Sequence, residues 1–338
     1  MKVLIIIPPI LKSEYDPYSF LTVPPDGYGG VENVVYALTQ GLVHLKHEVT
    51  IIGAPGSRSM EGITIIRDIL EAKDIKSFIL NNYKKFDVIH DHSGGLIFDS
   101  KDDVSEYNYV ATHHMTGESP YPSGTIFLSE SQRDNTPGSE KSSIVRIPVI
   151  KNDYIFNDNK KDFLLYLGRV SEWKGVYESL QLSKSLNLKL IIAGPSWEKD
   201  YFERIEKDFN SEDFEYVGNV SGLKRLKLIS DAKAVFALSR FRPSPWGGIW
   251  HEPGSTIVSE SGISGTPIIS SKNGCLDEIV VDGLNGIKLS EEELSSLDTS
   301  RIDFNSFNSN NIRDNAVSNW DHIKITSEYI KIYENGRK

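Results

Sequence analysis

The chain has 338 residues, 39% of them hydrophobic and 25% charged, with a formal net charge of −10. That length is too great for one ordinary core and suits two domains. The acidic balance argues against nucleic acid held by broad phosphate neutralisation, although a local basic cluster leaves room for peripheral contact with a membrane surface.

The N-terminus, MKVLIIIPPI, has one lysine and a short apolar run closed by Pro8 and Pro9. A signal peptide needs a longer apolar stretch and a small-residue cleavage site, so the run reads as a buried strand reaching its turn. No stretch approaches the roughly 18–20 apolar residues of a membrane span. The single cysteine, Cys275, rules out an internal disulfide and fits a reducing compartment. A cytoplasmic protein is expected.

Along the chain, strand and helix signals alternate. VLIII (3–7) is the first strand, followed by a loop rich in Pro, Gly and Tyr from Pro8 to Gly30. VENVVYALTQGLVHL has helical spacing and HEVTIIG returns as a strand. DVIHDHS (87–93), YVATHH (109–114) and TIFLSES (125–131) are apolar runs that end in polar residues. Such runs suit parallel strands with sites at their carboxyl ends. The pattern then restarts: DFLLYLGR (162–169) is a strand, KGVYESLQLSKSL a helix, LKLIIAGP (188–195) a strand, and SEDFEYVGNV another. KRLKLISDA is helical, and AVFALS and TPIISS (266–271) are strands.

Two such series predict two doubly wound α/β domains, divided where KNDYIFNDNKKD interrupts the apolar pattern with Asn, Asp and Lys. The expected boundaries are 1–155, 156–315 and 316–338. Residues 290–315 read as an irregular surface segment. In the last stretch Trp320, Ile323, Ile330 and Tyr333 stand at roughly helical spacing.

Three motifs carry chemistry. In DGYGGVENVV (26–35), Gly27, Gly29 and Gly30 open a helix, where backbone N–H groups can approach an anionic ligand. It matches neither dinucleotide nor P-loop glycine patterns, and a plain tight turn is the alternative. In GRVSEWKG (168–175), Arg169 ends a strand and Lys174 lies five residues on. Two such cations could clamp a diphosphate, Arg as a planar fork and Lys as a point charge, or be ordinary surface charges. In EPGSTIVSE (252–260), Glu252 precedes a helix and Glu260 lies about two turns into it, with Ser255 and Thr256 in the first turn. At 1.5 Å per residue the two acids stand roughly 10–12 Å apart. That is too far for a two-carboxylate glycosidase site and suits the two ends of one elongated ligand; a solvated helix face is the alternative.

His90 and His92 lie at one strand end, His113 and His114 at the next. An H-x-H pair can bind metal, but the chain has no H-E-x-x-H and no D-x-D. A histidine acting as a hydrogen-bond donor asks for less.

Together, GGVE, DVIHDHS, VATHH, LYLGRVSEWKG, IIAGP, EYVGNV, EPGSTIVSE, SGTPIIS, DEIVVDGLNGI and the Trp-led terminal helix, in this order, resemble the retaining nucleotide-sugar glycosyltransferases of family 4. The resemblance implies the GT-B fold: two Rossmann-like domains facing across a cleft, the first on the acceptor side and the second binding the donor, with a C-terminal helix that crosses back to the first. It implies that Arg169 and Lys174 bind the donor diphosphate and that Glu260 holds the ribose. Glu252 would hold the transferred sugar, and backbone N–H groups of Gly254, Ser255 and Thr256 the phosphate or sugar. Gly29 and Gly30 would lie beside the donor, Val217, Gly218 and Val220 would border the base, and His114, at the family's T-x-H position, would face the sugar.

The donor implied is a UDP- or GDP-sugar, the acceptor a lipid-linked or small-molecule glycoside, with no cofactor and no metal. Sugar-nucleotide epimerisation or hydrolysis on the same fold, a histidine-ligated metal hydrolase, and a non-catalytic binding module are the competing readings. The sequence departs from the family where Glu-Pro-Phe-Gly becomes Glu252-Pro253-Gly254-Ser255, and where FRPSPWGGIWHE is longer and richer in Trp, so that Trp246 or Trp250 is expected to shape the cleft.

Overall fold

A computed structural model describes residues 1–8, 22–27, 29–53, 55–69, 71–196, 198–244 and 248–336. Most of the Pro/Gly/Tyr-rich loop before Gly29 lies outside these residues, as does Trp246. The chain divides into two compact units, Met1–Pro148 with Asp321–Lys338, and Val149–Trp320.

The first unit holds β1 (Lys2–Ile6), α1 (Gly30–His44), β2 (Glu48–Ile52), β3 (Ile63–Ile66), α2 (Ala72–Asn82), β4 (Val88–Asp91), β5 (Tyr109–Thr112), β6 (Thr125–Phe127), α3 (Glu130–Asp134) and β7 (Ser143–Ile144). Its sheet has the order β3-β2-β1-β4-β5-β6-β7, and every pair is parallel. Successive residues of a strand face opposite sides of the sheet. Val3 and Ile5 accordingly enter one apolar cluster with Leu38 and Leu42 of α1, while Leu4 and Ile6 enter another with Ile75 and Ile79 of α2. Both faces are covered, which is why the strand reads as an unbroken apolar run.

The second unit holds β8 (Phe163–Leu167), α4 (Val176–Ser185), β9 (Lys189–Ala193), α5 (Lys199–Asp208), β10 (Phe214–Tyr216), α6 (Gly222–Asp231) and β11 (Ala234–Ala237). It continues with α7 (Thr256–Ile263), β12 (Ile268–Ser271), α8 (Cys275–Ile279), β13 (Gly286–Leu289), α9 (Glu291–Ser296) and α10 (Ser309–Trp320). Its sheet, β10-β9-β8-β11-β12-β13, is again all parallel. This is the doubly wound order in which the first strand sits centrally and the chain turns back past it.

The last helix, α11 (His322–Asn335), belongs to the first unit, where Ile325, Tyr329 and Tyr333 pack with Leu38 and Leu42. Among the described residues, no helix is long and apolar enough to cross a membrane.

Three expectations about organisation need correction. The division falls at 148/149 rather than 155/156, because the polar segment after it is part of the second unit. There, Tyr154 packs on the core, Asn157 donates to Asp231 at 2.8 Å, and Lys160 donates to the Thr266 hydroxyl at 2.7 Å. The return falls at 320/321 rather than 315/316. Trp320 closes α10 in the second unit's core, and the Asp321 side chain caps a new helix by accepting from the N–H groups of Ile323 and Lys324. Residues 290–315 are not irregular throughout: Ser290 and Glu293 form a reciprocal capping box that starts α9.

Candidate functional site

In the second unit the strand order reverses between β8 and β11, which are hydrogen-bonded neighbours. Open α/β sheets hold ligands outside the carboxyl ends of the strands at such a reversal. The segment leaving β8 carries Arg169 and Lys174; the segment leaving β11 carries Ser239, Trp250 and Glu252.

These segments meet at Glu252, which is 6% exposed. The Lys174 ammonium lies 2.8 Å from its Oε1 and 2.6 Å from its Oε2. The Ser239 hydroxyl and the Trp250 indole N–H, the latter at 3.1 Å, both donate to Oε2. Lys174 also stands 4.4 Å from the centre of the Trp250 ring, within cation–π range. Oε2 is thus saturated, while Oε1 keeps room for one further donor. Lys174 and Glu252 thus form one ion pair, which leaves one ammonium hydrogen of Lys174 beyond the carboxylate. Trp250 is buried and serves Glu252, so it is no open stacking platform for a sugar.

The backbone of Glu252 is clamped as firmly. Its N–H donates to Asn273 Oδ1 at 2.7 Å, and its carbonyl accepts from the Cys275 N–H at 2.8 Å. Asn273, fully buried, also donates to the Trp250 carbonyl at 3.1 Å. Gly274 lies between these anchors with φ +57°, and a Cβ there would stand 2.3 Å from the Glu252 carbonyl oxygen and 2.5 Å from its nitrogen. Gly274→Ala is expected to lose about 2–4 kcal/mol of stability from backbone strain plus overpacking, and to lower turnover by displacing Glu252. Urea unfolding and steady-state kinetics check both.

α7 follows directly. Ser255 is its N-cap but spends no side-chain bond on the first turn. Gly254 and Thr256 are half-buried. Glu260, the fifth residue of the helix, is 2% exposed. Its Oε1 accepts from the Tyr154 hydroxyl at 2.8 Å and its Oε2 from Arg225 of α6 at 2.6 Å. Burial first, and then the Glu260 charge, push the Tyr154 hydroxyl well above its ordinary pKa, so it stays a donor. Each oxygen of Glu260 keeps one acceptor site. Tyr154, Arg225, Ser239 and Asn273 were not singled out in the sequence.

Arg169 is half-buried just past β8, and its charge acts on Glu198, whose carboxyl is raised by burial and pulled back in part by Arg169. Val217 and Gly218 are tied to the end of β9: the Val217 N–H donates to Ile192 at 3.0 Å, and the Gly218 carbonyl accepts from Gly194 at 2.9 Å. Val220 is buried in the core, with Val217 packed against it, so neither side chain stands clear of the protein.

In the first unit, Gly29 and Gly30 begin α1 after β1. A Cβ on Gly29 would meet Pro25 at 2.7 Å, whereas one on Gly30 would meet nothing within 4 Å among the described residues. Glu32, in the first turn, is buried, and desolvation raises its carboxyl to about 8. A raised carboxyl pKa favours the folded state at low pH, with the contribution lost as pH climbs from the unfolded value near 4.5 through 8. Glu32→Gln is expected to flatten the pH dependence of unfolding between those values; an unchanged slope would show that the group ionises freely.

The four histidines do not act as two pairs. His113 and His114, adjacent in an extended segment, face opposite ways. His113 turns its ring edge-on to Tyr121 and Phe127 in the interior, while His114 Nε2 lies 2.8 Å from His92 Nδ1. His90 is taken up by the Tyr333 hydroxyl at 2.7 Å and the Thr112 hydroxyl at 2.8 Å. Burial lowers His90 and His114 to about 3 and His113 to about 4, so all three are neutral at pH 7. Among the described residues, no group of three or more His, Cys, Asp or Glu is placed to hold a metal ion.

A family model for group 1 glycosyl transferases matches residues 151–298. The crystal structure of AviGT4, a glycosyltransferase involved in avilamycin A biosynthesis, is 36% identical over 99% of this chain and 97% of its own, with a TM-score of 0.89. Glycogen synthase of Mycobacterium tuberculosis is 26% identical over 140 residues, 40% of this chain but only 31% of its own length, so the match spans under a third of that relative. HepE of Anabaena, solved in complex with UDP-glucose, shares the fold over 99% of this chain and all of its own, with a TM-score of 0.72 at 14% identity. Two parallel doubly wound sheets, a family model on the second unit and a relative at 36% identity along nearly its whole length agree: the chain has the GT-B fold and belongs to the group 1 glycosyl transferases.

Proposed function

We propose that the protein is a retaining glycosyltransferase that moves a sugar from a nucleoside-diphosphate sugar to an acceptor hydroxyl without a metal ion. The observation that carries the reading is the Glu252 cluster at the strand-order reversal, joined to Lys174 and followed by α7 with Glu260 in it. The complex of HepE with UDP-glucose supports a donor of this class. The second unit is the donor side and the first the acceptor side, with His114 facing the transferred sugar. The acceptor is a lipid-linked or small-molecule glycoside.

In this reading the helix amides at Gly254, Ser255 and Thr256, with Arg169 and the remaining hydrogen of Lys174, meet the diphosphate. As the sugar–oxygen bond breaks, its electron pair leaves with the nucleoside diphosphate, and these donors stabilise the growing charge. The acceptor hydroxyl attacks the same face of the sugar, and its proton passes to the departing phosphate oxygen. No protein nucleophile is needed. Glu252 holds sugar hydroxyls through Oε1, and Glu260 holds the ribose.

Thermal shift with UDP and GDP and their sugars tests the donor, since a ligand that binds only the native state raises its stability. Turnover of the stabilising donor should survive EDTA, and NMR of the product should show the donor's anomeric configuration kept. Loss of turnover on chelation, restored by Mn²⁺ or Zn²⁺, would overturn metal independence. Release of free sugar in place of transfer would make the enzyme a hydrolase.

A further inference from the structure

We propose that His92 is a positioning residue for His114: it holds His114 by Nε2 and leaves the Nδ1–H edge of that ring for the sugar ligand. The inference rests on the role of His114 given above, but its geometry lies wholly within the first unit.

His92 follows β4, and its backbone N–H is fixed to the Ile6 carbonyl at 2.9 Å. Its ring packs on His90, with centroids 4.1 Å apart. His90 is itself immobilised: Nδ1 lies 2.7 Å from the Tyr333 hydroxyl and Nε2 2.8 Å from the Thr112 hydroxyl. A ring held at both nitrogens, by β5 on one side and α11 on the other, makes a rigid wall behind His92.

On its other side His92 Nδ1 reaches His114 Nε2 at 2.8 Å. Burial keeps both rings neutral, His92 well below its ordinary pKa and His114 at about 3, so each carries one proton and one of the two donates. The second nitrogen of His92 decides which. Nε2 of His92 is enclosed and has no hydrogen-bond partner among the described residues. A proton there would be a buried N–H without an acceptor, and orphaned buried N–H groups are the rarer defect. The proton of His92 therefore sits on Nδ1 and is donated to His114 Nε2, which places the proton of His114 on Nδ1. That edge makes no hydrogen bond to the described residues. A donor fixed in direction and tautomer suits a sugar hydroxyl or ring oxygen, acceptors that a carboxylate cannot serve.

The test uses the full chain. Long-range proton–nitrogen correlation on protein labelled with ¹⁵N-histidine, with His114→Ala for assignment, should show His114 as the Nδ1–H tautomer. His92→Phe should lower kcat about 10- to 100-fold, the scale for a misplaced reacting group, with donor KM little changed. His92→Asn, whose amide can reach the place of Nδ1, should regain most of that loss. A proton on Nε2 of His114 overturns the proposal, as does His92→Phe turning over like the wild type while His114→Ala is inactive. If His114→Ala keeps full turnover, the role of His114 itself fails, and the proposal falls with it for that separate reason. Should His92→Phe fail to fold, the tautomer of the wild-type protein still decides.

Discussion

Glu252→Ala is expected to cost about 3–5 kcal/mol of stability, the range for removing one partner of a buried ion pair, and to abolish transfer. The cost follows from what Glu252 holds. Without it, the Lys174 ammonium, whose side chain is 21% exposed, loses both of its carboxylate contacts. The buried Ser239 hydroxyl and Trp250 indole lose their acceptor as well. Glu252→Gln keeps the shape and one acceptor oxygen, so it should fold more stably than the alanine variant while kcat still falls steeply. In the proposed reading the side chain touches the transferred sugar, whose ring gains positive charge as the bond breaks, and interactions that strengthen in the transition state appear in kcat. Paired replacement of Lys174 and Glu252 by methionine and leucine should be less destabilising than Glu252→Ala alone, because no charge is left unpaired. Urea unfolding of the set, beside donor kinetics, separates the structural from the catalytic share. A stable and fully active Glu252→Gln would remove the residue from the site.

Much of this site was legible because its parts are local. Apolar runs that end in polar residues mark parallel strands, and the parts leave strand ends in sequence order. A Pro-Gly pair before STIVSE marks the entry to α7. What could not be read is whatever depends on side chains meeting across long stretches of chain. Arg225 and Tyr154 reach Glu260 from 35 and 106 residues away, and Asn273 reaches Glu252 from 21. No spacing rule reports such pairs. Tyr154 was hidden further by its setting, an Asn/Asp/Lys-rich segment whose polarity resembles a linker. In the structure those polar groups are consumed by Asp231, Ser230 and Thr266, and the segment is part of the second unit.

The terminal stretch misled in the opposite way. Trp320 lies in register with the apolar positions that follow it, yet Asp321 interrupts the helix and the two sides of that break belong to different cores. An Asp followed by an amphipathic run is itself a helix-start signal. So is Ser290 with Glu293 ahead of Leu294. Both breaks were present in the sequence as caps, and composition obscured them. The histidines show the same limit at the scale of a side chain. Alternation along a strand predicts that His90 and His92 share a face, but only the packed structure shows His113 turned inward and His114 bonded to His92.

Glu260 calls for a different experiment, because the structure gives it a structural task as well as the proposed ribose contact. Glu260→Gln should raise the donor KM and weaken the bare nucleoside diphosphate by roughly 10- to 100-fold, corresponding to the ~1.5–3 kcal/mol of hydrogen bonds to a charged group. The effect on kcat should be modest, since the ribose lies away from the reacting carbon and its contact is the same in ground and transition states. The same change also faces Arg225, 12% exposed, with an uncharged partner, and leaves the amide to choose between Arg225 and Tyr154. Stability should therefore fall together with affinity, and the single variant cannot separate the two causes. Combining Glu260→Gln with Arg225→Met removes the unpaired cation and should recover much of the stability. Nucleotide affinity should stay low in the double variant, because the carboxylate proposed to accept the ribose hydroxyls is still missing. Calorimetric titration of the nucleoside diphosphate alongside thermal unfolding reads both quantities on the same samples. If affinity returns with stability, Glu260 is a strut between α6, α7 and Tyr154 and does not touch the nucleotide. If the bare nucleotide instead responds to Glu252→Gln and ignores Glu260→Gln, the ligand lies the other way round along α7.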